Sequence, residues 1–90
     1  MDPINKTFTI TNQMGLHARP AAMLVQSVQH LDCEVAIEKD GTRVDGKSIM
    51  GVMMLAAECG SEIHVTSRGP DAIQAIEEIE RVVNTKFGEE

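Results

Sequence analysis

The chain reads as an α+β domain, an open-faced two-layer sandwich in the order βαββαβα. One four-stranded antiparallel sheet carries its helices on a single face. Three observations predict this. Apolar and polar residues alternate in short stretches, the period of a half-buried strand. Between those stretches the apolar spacing becomes helical. Each strand and each long helix has only one apolar face, so stacking all helices on one side of the sheet buries every such face and leaves the other side to water. With 90 residues and no repeat, low-complexity stretch or linker, residues 1–90 make a single domain with one core layer.

The elements follow in order. Phe8 and Ile10 alternate with Thr7, Thr9 and Thr11 and predict the first strand. From Ala18 to about Leu31, Ala21, Leu24, Val25, Val28 and Leu31 share one helical face, with Arg19, Gln26, Gln29 and His30 opposite. Pro20 suits a first turn, where an N–H has no intrahelical partner anyway. Cys33, Val35 and Ile37 alternate with Glu34 and Glu38 as the second strand. Asp40-Gly41 suits a two-residue hairpin, because a type I′ turn needs positive φ at both positions. Thr42 to Asp45 is then the return strand. Ser48 to about Cys59 predicts a helix stopped by Gly60, with Ile49, Val52, Leu55 and Ala56 inward. Glu62 to Ser67 alternates again, Ile63 and Val65 inward and His64 outward. Pro70 and Asp71 open a last helix in which Ala72, Ile73, Ile76, Ile79, Val83 and Phe87 repeat at helical spacing, with a Glu77–Arg81 pair on its wet side.

Composition excludes several classes of function. Fourteen acidic against 8 basic residues give a net charge of −6, and Trp and Tyr are absent. Such a surface repels phosphate backbones and offers no platform for stacked bases, so nucleic-acid binding is not expected. No apolar run approaches the ~20 residues of a membrane span, and Met1-Asp2-Pro3 lacks the basic and apolar segments of a signal peptide. Cys33 and Cys59 form no CxxC motif and read as reduced, buried thiols in the cytoplasm. No pair of histidines or cysteines has ligand spacing, so no metal and no cofactor are expected.

Among the three histidines, context decides. His64 reads as an ordinary solvated side chain on a strand, and His30 as a helix-terminal residue compatible with the dipole. His17 stands apart, between a strand and the helix that follows it, in Gly15-Leu16-His17-Ala18-Arg19-Pro20-Ala21. The first helical turn leaves the Ala18 and Arg19 backbone N–H groups unpaired and partly positive, which makes an anion site. That positive end works against a cationic ring and favours a neutral imidazole with a free nitrogen. A neutral imidazole is a nucleophile, and the neighbouring anion site stabilises a phosphoryl group attached to it. Arg19 adds a planar fork suited to phosphate oxygens.

The segment Gly15-Leu16-His17-Ala18-Arg19-Pro20-Ala21-Ala22 resembles the active-site signature of the HPr family, the histidine-containing phosphocarriers of the phosphoenolpyruvate-dependent phosphotransferase system. Lys47-Ser48-Ile49-Met50-Gly51-Val52-Met53 is similar to that family's regulatory-serine segment. The resemblance covers nearly the whole chain, including the separation of the two motifs. It implies the HPr open-faced sandwich and a cytoplasmic, monomeric carrier serving sugar transport. His17 would take phosphate on Nδ1 from enzyme I and pass it to a histidine of an enzyme IIA-type acceptor, with Arg19 neutralising charge. The residues by themselves leave the choice between the two ring nitrogens open.

Ser48 has an ordinary role as a helix N-cap, worth ~1 kcal/mol. The resemblance adds a second one, phosphorylation by the ATP-dependent HPr kinase/phosphorylase, with an effect on docking rather than on folding. Met50, Met53 and Met54 exceed what one sheet can cover, and exposed apolar surface suggests a partner. By resemblance, Ala22, Ile49, Met50, Met53 and Met54 form the docking surface. Gln26 and Gln29 stand where many members carry basic residues, which weakens electrostatic attraction to partners. Two other readings compete. Thr11-Asn12 and the acidic tail Phe87-Gly88-Glu89-Glu90 have the look of NPr, the nitrogen-branch paralogue with regulatory outputs. Gly41-Thr42-Arg43-Val44-Asp45-Gly46-Lys47-Ser48 satisfies the P-loop pattern GxxxxGK[ST] of nucleotide binders. The hairpin reading of Asp40-Gly41 and Thr42 to Asp45, the lack of a second acidic residue for Mg²⁺, and the short chain oppose the P-loop.

Overall fold

The computed structural model describes residues 2–89. Four strands, β1 (Ile4–Thr9), β2 (Glu34–Lys39), β3 (Thr42–Asp45) and β4 (Glu62–Arg68), form one antiparallel sheet in the order β1-β4-β2-β3. Three α-helices, α1 (Ala18–Val28), α2 (Ile49–Met54) and α3 (Ala72–Asn84), are followed by a short 3₁₀ turn at Lys86–Gly88. The register pairs Phe8 with Ile63 and Ile37 with Val65, so apolar residues of neighbouring strands fall on one face. That face meets Ala21, Leu24, Val25 and Val28 of α1, Val52 of α2, and Ala75, Ile76, Ile79, Val82 and Val83 of α3 in a single core. The fold is the expected open-faced sandwich, with His64 and Thr66 on the outer side of the sheet.

The hairpin forms as its dipeptide predicts. Asp40 and Gly41 have φ of 50° and 83° and join Lys39 to its partner Thr42. β3 therefore hydrogen-bonds to β2, and Thr42 to Asp45 cannot wrap around phosphates as a P-loop would. The outer parts of the other elements differ from expectation in instructive ways. The first strand begins at Ile4, and Ile10, though buried, lies beyond its end. α1 stops at Val28, and Leu31 reaches the core through a turn in which its N–H donates to the Val28 carbonyl.

The largest correction concerns α2. It ends at Met54, well before Cys59, because Ala56 enters the left-handed region at φ 50°. Ala56 is consequently exposed and Ile49 stands 39% exposed at the helix start, while Val52 and Leu55 are buried as expected. Gly60 does adopt positive φ, but in the loop before β4 and not as a helix cap.

In α3, Ile73 points outward, 65% exposed, and Ala75 and Val82 complete the inner face in its place. Arg81 pairs with Glu78 at i,i+3 and not with Glu77. Asp71 precedes the helix without capping it, its carboxylate accepting from the Asp32 N–H instead. Phe87 is buried but lies outside α3, on a left-handed backbone of φ 55°. Lys86 before it is left-handed as well, at φ 53°, and the burial of the ring, about 2–3 kcal/mol, offsets part of the cost of that backbone. The cysteines are both free, but neither is buried: Cys33 is half-buried and Cys59 exposed.

Candidate functional site

The loop between β1 and α1 carries His17, and its shape is set by two close approaches. Gly15 sits at φ 71°, where a side chain would strain the backbone; a Cβ there would collide with the Ala57 carbonyl oxygen and lie 2.9 Å from Glu58 Cα. Next to it the Leu16 N–H donates to that same Ala57 carbonyl at 2.8 Å. The early end of α2 thus has a use, since it frees the 55–58 segment to hold the His17 loop. Asn12, fully buried, braces the loop from within by donating its amide to the Gly15 carbonyl at 2.8 Å.

His17 is the N-cap residue of α1, with extended backbone (φ −78°, ψ −172°) and a side chain that makes no capping bond. Its carbonyl receives the Ala21 N–H at 3.0 Å, which starts the helix. Pro20 has no N–H to satisfy, and among the described residues no acceptor takes the N–H of Ala18 or Arg19. Two uncommitted amides stand at the electropositive end of an eleven-residue helix, beside an exposed imidazole, and such groups are what an anion site needs. Arg19 is exposed and makes no ion pair among the described residues, so its guanidinium is free for an incoming anion.

One contact was absent from the sequence reading. The Glu89 carboxylate lies against His17, Oε2 to Nε2 at 3.0 Å, while its Oε1 accepts from Asn12 Nδ2 at 2.9 Å. Glu89 titrates below the ordinary carboxylate value of 4.5: the Asn12 hydrogen bond lowers it most, then the His17 hydrogen bond and charge, then the charge of Arg19, with partial burial opposing. A negative charge therefore stands beside the ring, in addition to the positive helix end. Glu89 and His17 are 72 positions apart and Asn12 and Glu89 are 77 apart. No local spacing rule connects them. The sequence signals were a small amide between the first strand and Gly15 and an acidic tail, with nothing to join them.

Other candidate residues fall elsewhere. Ser48 is the N-cap of α2, its Oγ accepting from the Gly51 N–H at 3.0 Å. Ala22 is half-buried on α1. Met50, Met53 and Met54 are exposed by 76%, 41% and 74%, and Met14, missed in the sequence reading, by 73%. Met14 lies in the His17 loop, and Met53 and Met54 immediately precede the 55–58 segment that holds that loop. His64 is exposed, with Nδ1 against Thr7 Oγ1 at 2.8 Å. Among the described residues no helix is long and apolar enough to cross a membrane, and no group of three or more potential ligands could hold a metal ion.

An open-faced α+β sandwich with an uncommitted helix N-terminus next to an exposed histidine defines a class: small α+β proteins with an anion site beside an imidazole. Comparison with known proteins specifies it further. The family profile described as PTS HPr component phosphorylation site matches residues 4–85. The phosphocarrier protein HPr of Treponema pallidum is 47% identical over 85 residues, 94% of this chain and 97% of that protein. The crystal structure of HPr-C-His from Thermoanaerobacter tengcongensis superposes with a TM-score of 0.90 at 39% identity, covering 100% of this chain and 99% of that one. A structure of an HPr dimer from the same organism superposes at 0.77, with 39% identity over 91% of this chain and 94% of that one. The chain belongs to the HPr family of phosphocarrier proteins of the phosphotransferase system.

Proposed function

We propose that this protein is a phosphoryl carrier that accepts phosphate from phospho-enzyme I on His17 and donates it to a histidine of an enzyme IIA-type acceptor. The observation that carries the reading is the exposed imidazole at the N-terminus of α1, beside the unpaired Ala18 and Arg19 amides. Phosphoryl transfer asks little covalent chemistry of a protein; it needs in-line positioning and charge stabilisation. The amides and Arg19 supply the second without proton transfer. A phosphoramidate on His17 is high in energy, and two amides with one mobile guanidinium hold it without trapping it. Every group the reading uses comes from this chain, and we take the carrier to act as a cytoplasmic monomer. The Met14, Ile49, Met50, Met53 and Met54 surface, with Ala22, would receive the partners. Ser48 would serve as a regulatory site for an HPr kinase/phosphorylase.

The test is reconstitution with purified enzyme I and labelled phosphoenolpyruvate, followed by mass spectrometry. Acid-labile label at one residue, His17, and its complete loss in His17→Ala are expected. Label retained in that variant sinks the assignment. Offering the labelled product to sugar-branch and nitrogen-branch acceptors then identifies the branch.

A further inference from the structure

We propose that Glu89 is a positioning residue for His17: its carboxylate takes the proton of Nε2 and so leaves Nδ1 as the nitrogen with the free lone pair. The catalytic meaning of this inference rests on the phosphocarrier reading; its effect on the ring does not.

The carboxylate is not a swinging surface group. Its Oε1 is tied to Asn12 Nδ2, and that same amide donates to Gly15, so the post that holds Glu89 also shapes the His17 loop. Two residues upstream, the buried Phe87 ring clamps the backbone, and the Glu89 N–H donates to the Lys86 carbonyl at 2.8 Å. An ionised carboxylate only accepts hydrogen bonds, so across the 3.0 Å contact Nε2 must donate. Asn12, His17 and Arg19 all hold Glu89 in its ionised form. With the proton on Nε2, the neutral ring keeps its lone pair on Nδ1, and no described residue hydrogen-bonds to Nδ1.

The transfer then balances simply. The Nδ1 lone pair forms the new N–P bond while the bond from phosphorus to the donor's phosphorylated atom breaks, its electron pair returning to that atom. His17 keeps its Nε2 proton throughout. The ring gains positive charge as the bond forms, and the carboxylate on its far nitrogen offsets that charge, the role a carboxylate partner plays for other working histidines. Donation to the acceptor is the same step reversed.

Long-range ¹H–¹⁵N correlation spectra of the ¹⁵N-labelled full chain near neutral pH read the tautomer directly. In the wild type the Nε2–H form should be the only neutral tautomer detected. In Glu89→Ala the Nδ1–H form should become measurable, and the labelling rate from phospho-enzyme I should fall about tenfold with KM unchanged. Glu89→Gln keeps an oxygen acceptor and should keep the tautomer while losing part of the rate. A measurable Nδ1–H form in the wild type, identical spectra for Glu89→Ala, or an unchanged rate in that variant would overturn the proposal. A Glu89→Gln rate equal to wild type removes its charge component. Wild-type protein that takes no label at all defeats the carrier reading instead, and the spectra still decide whether Glu89 sets the tautomer.

Discussion

Two helix N-termini in this molecule begin with an extended residue but use it in opposite ways. At α2, Ser48 closes the end on itself, its hydroxyl oxygen accepting the Gly51 N–H. At α1, the His17 side chain turns away from the helix amides and toward Glu89, leaving the amides of Ala18 and Arg19 without an internal acceptor. A capped terminus is a stability device, worth about 1 kcal/mol. An uncapped one gives up that contribution and keeps its partial positive charge for something that comes and goes. The phosphoryl site we propose lies at the end that its own side chain leaves open.

That contrast can be broken from the structural side first. Gly15→Ala places a methyl group against Ala57 and Glu58 at a φ of 71°. We expect a loss of about 2–4 kcal/mol in urea unfolding, from the collision and the left-handed backbone together. Labelling of His17 should slow with it, since the loop must move; a loss of no more than about 0.5 kcal/mol, the range of ordinary surface substitutions, would contradict the close approach.

A smaller effect is expected at the capped end. Ser48→Ala should cost about 1 kcal/mol, leave His17 labelling by phospho-enzyme I unchanged, and end labelling by an HPr kinase with ATP. Persistent kinase labelling in that variant would move the regulatory site elsewhere.

The mildest expectation concerns acid. Glu89 is lowered in the folded protein relative to its ordinary 4.5, so its contacts add stability above that pH and lose it as the pH falls below. The Asn12 side-chain amide resonances should therefore shift with a midpoint below 4.5. A midpoint at or above that value would mean the carboxylate is not held as the geometry indicates.

Much of this was legible in the residues, and the gaps have physical causes. The strand periods, the Asp40-Gly41 turn and the inner face of α1 are local patterns that formed close to where expected, whereas the inner face of α3 did so only in part. The end of α2 was not legible, because nothing between Met54 and Cys59 forbids a helix. The break at Ala56 accompanies a bond made by a distant loop, the Leu16 N–H donating to the Ala57 carbonyl. Ile73 and the Glu78–Arg81 pair were misplaced for a milder reason. Helical spacing defines an apolar stripe but not its edges, and i+3 and i+4 neighbours are equally reachable.

By itself the sequence determined the α+β class, the order of elements and the placing of His17 at the start of a helix, since these depend on residues within a few positions of one another. Only the tertiary structure decided what faces the imidazole. Folding the chain back at Phe87 brings a carboxylate from 72 residues away onto Nε2, and no periodicity in a linear string encodes a meeting that depends on how the whole core is packed.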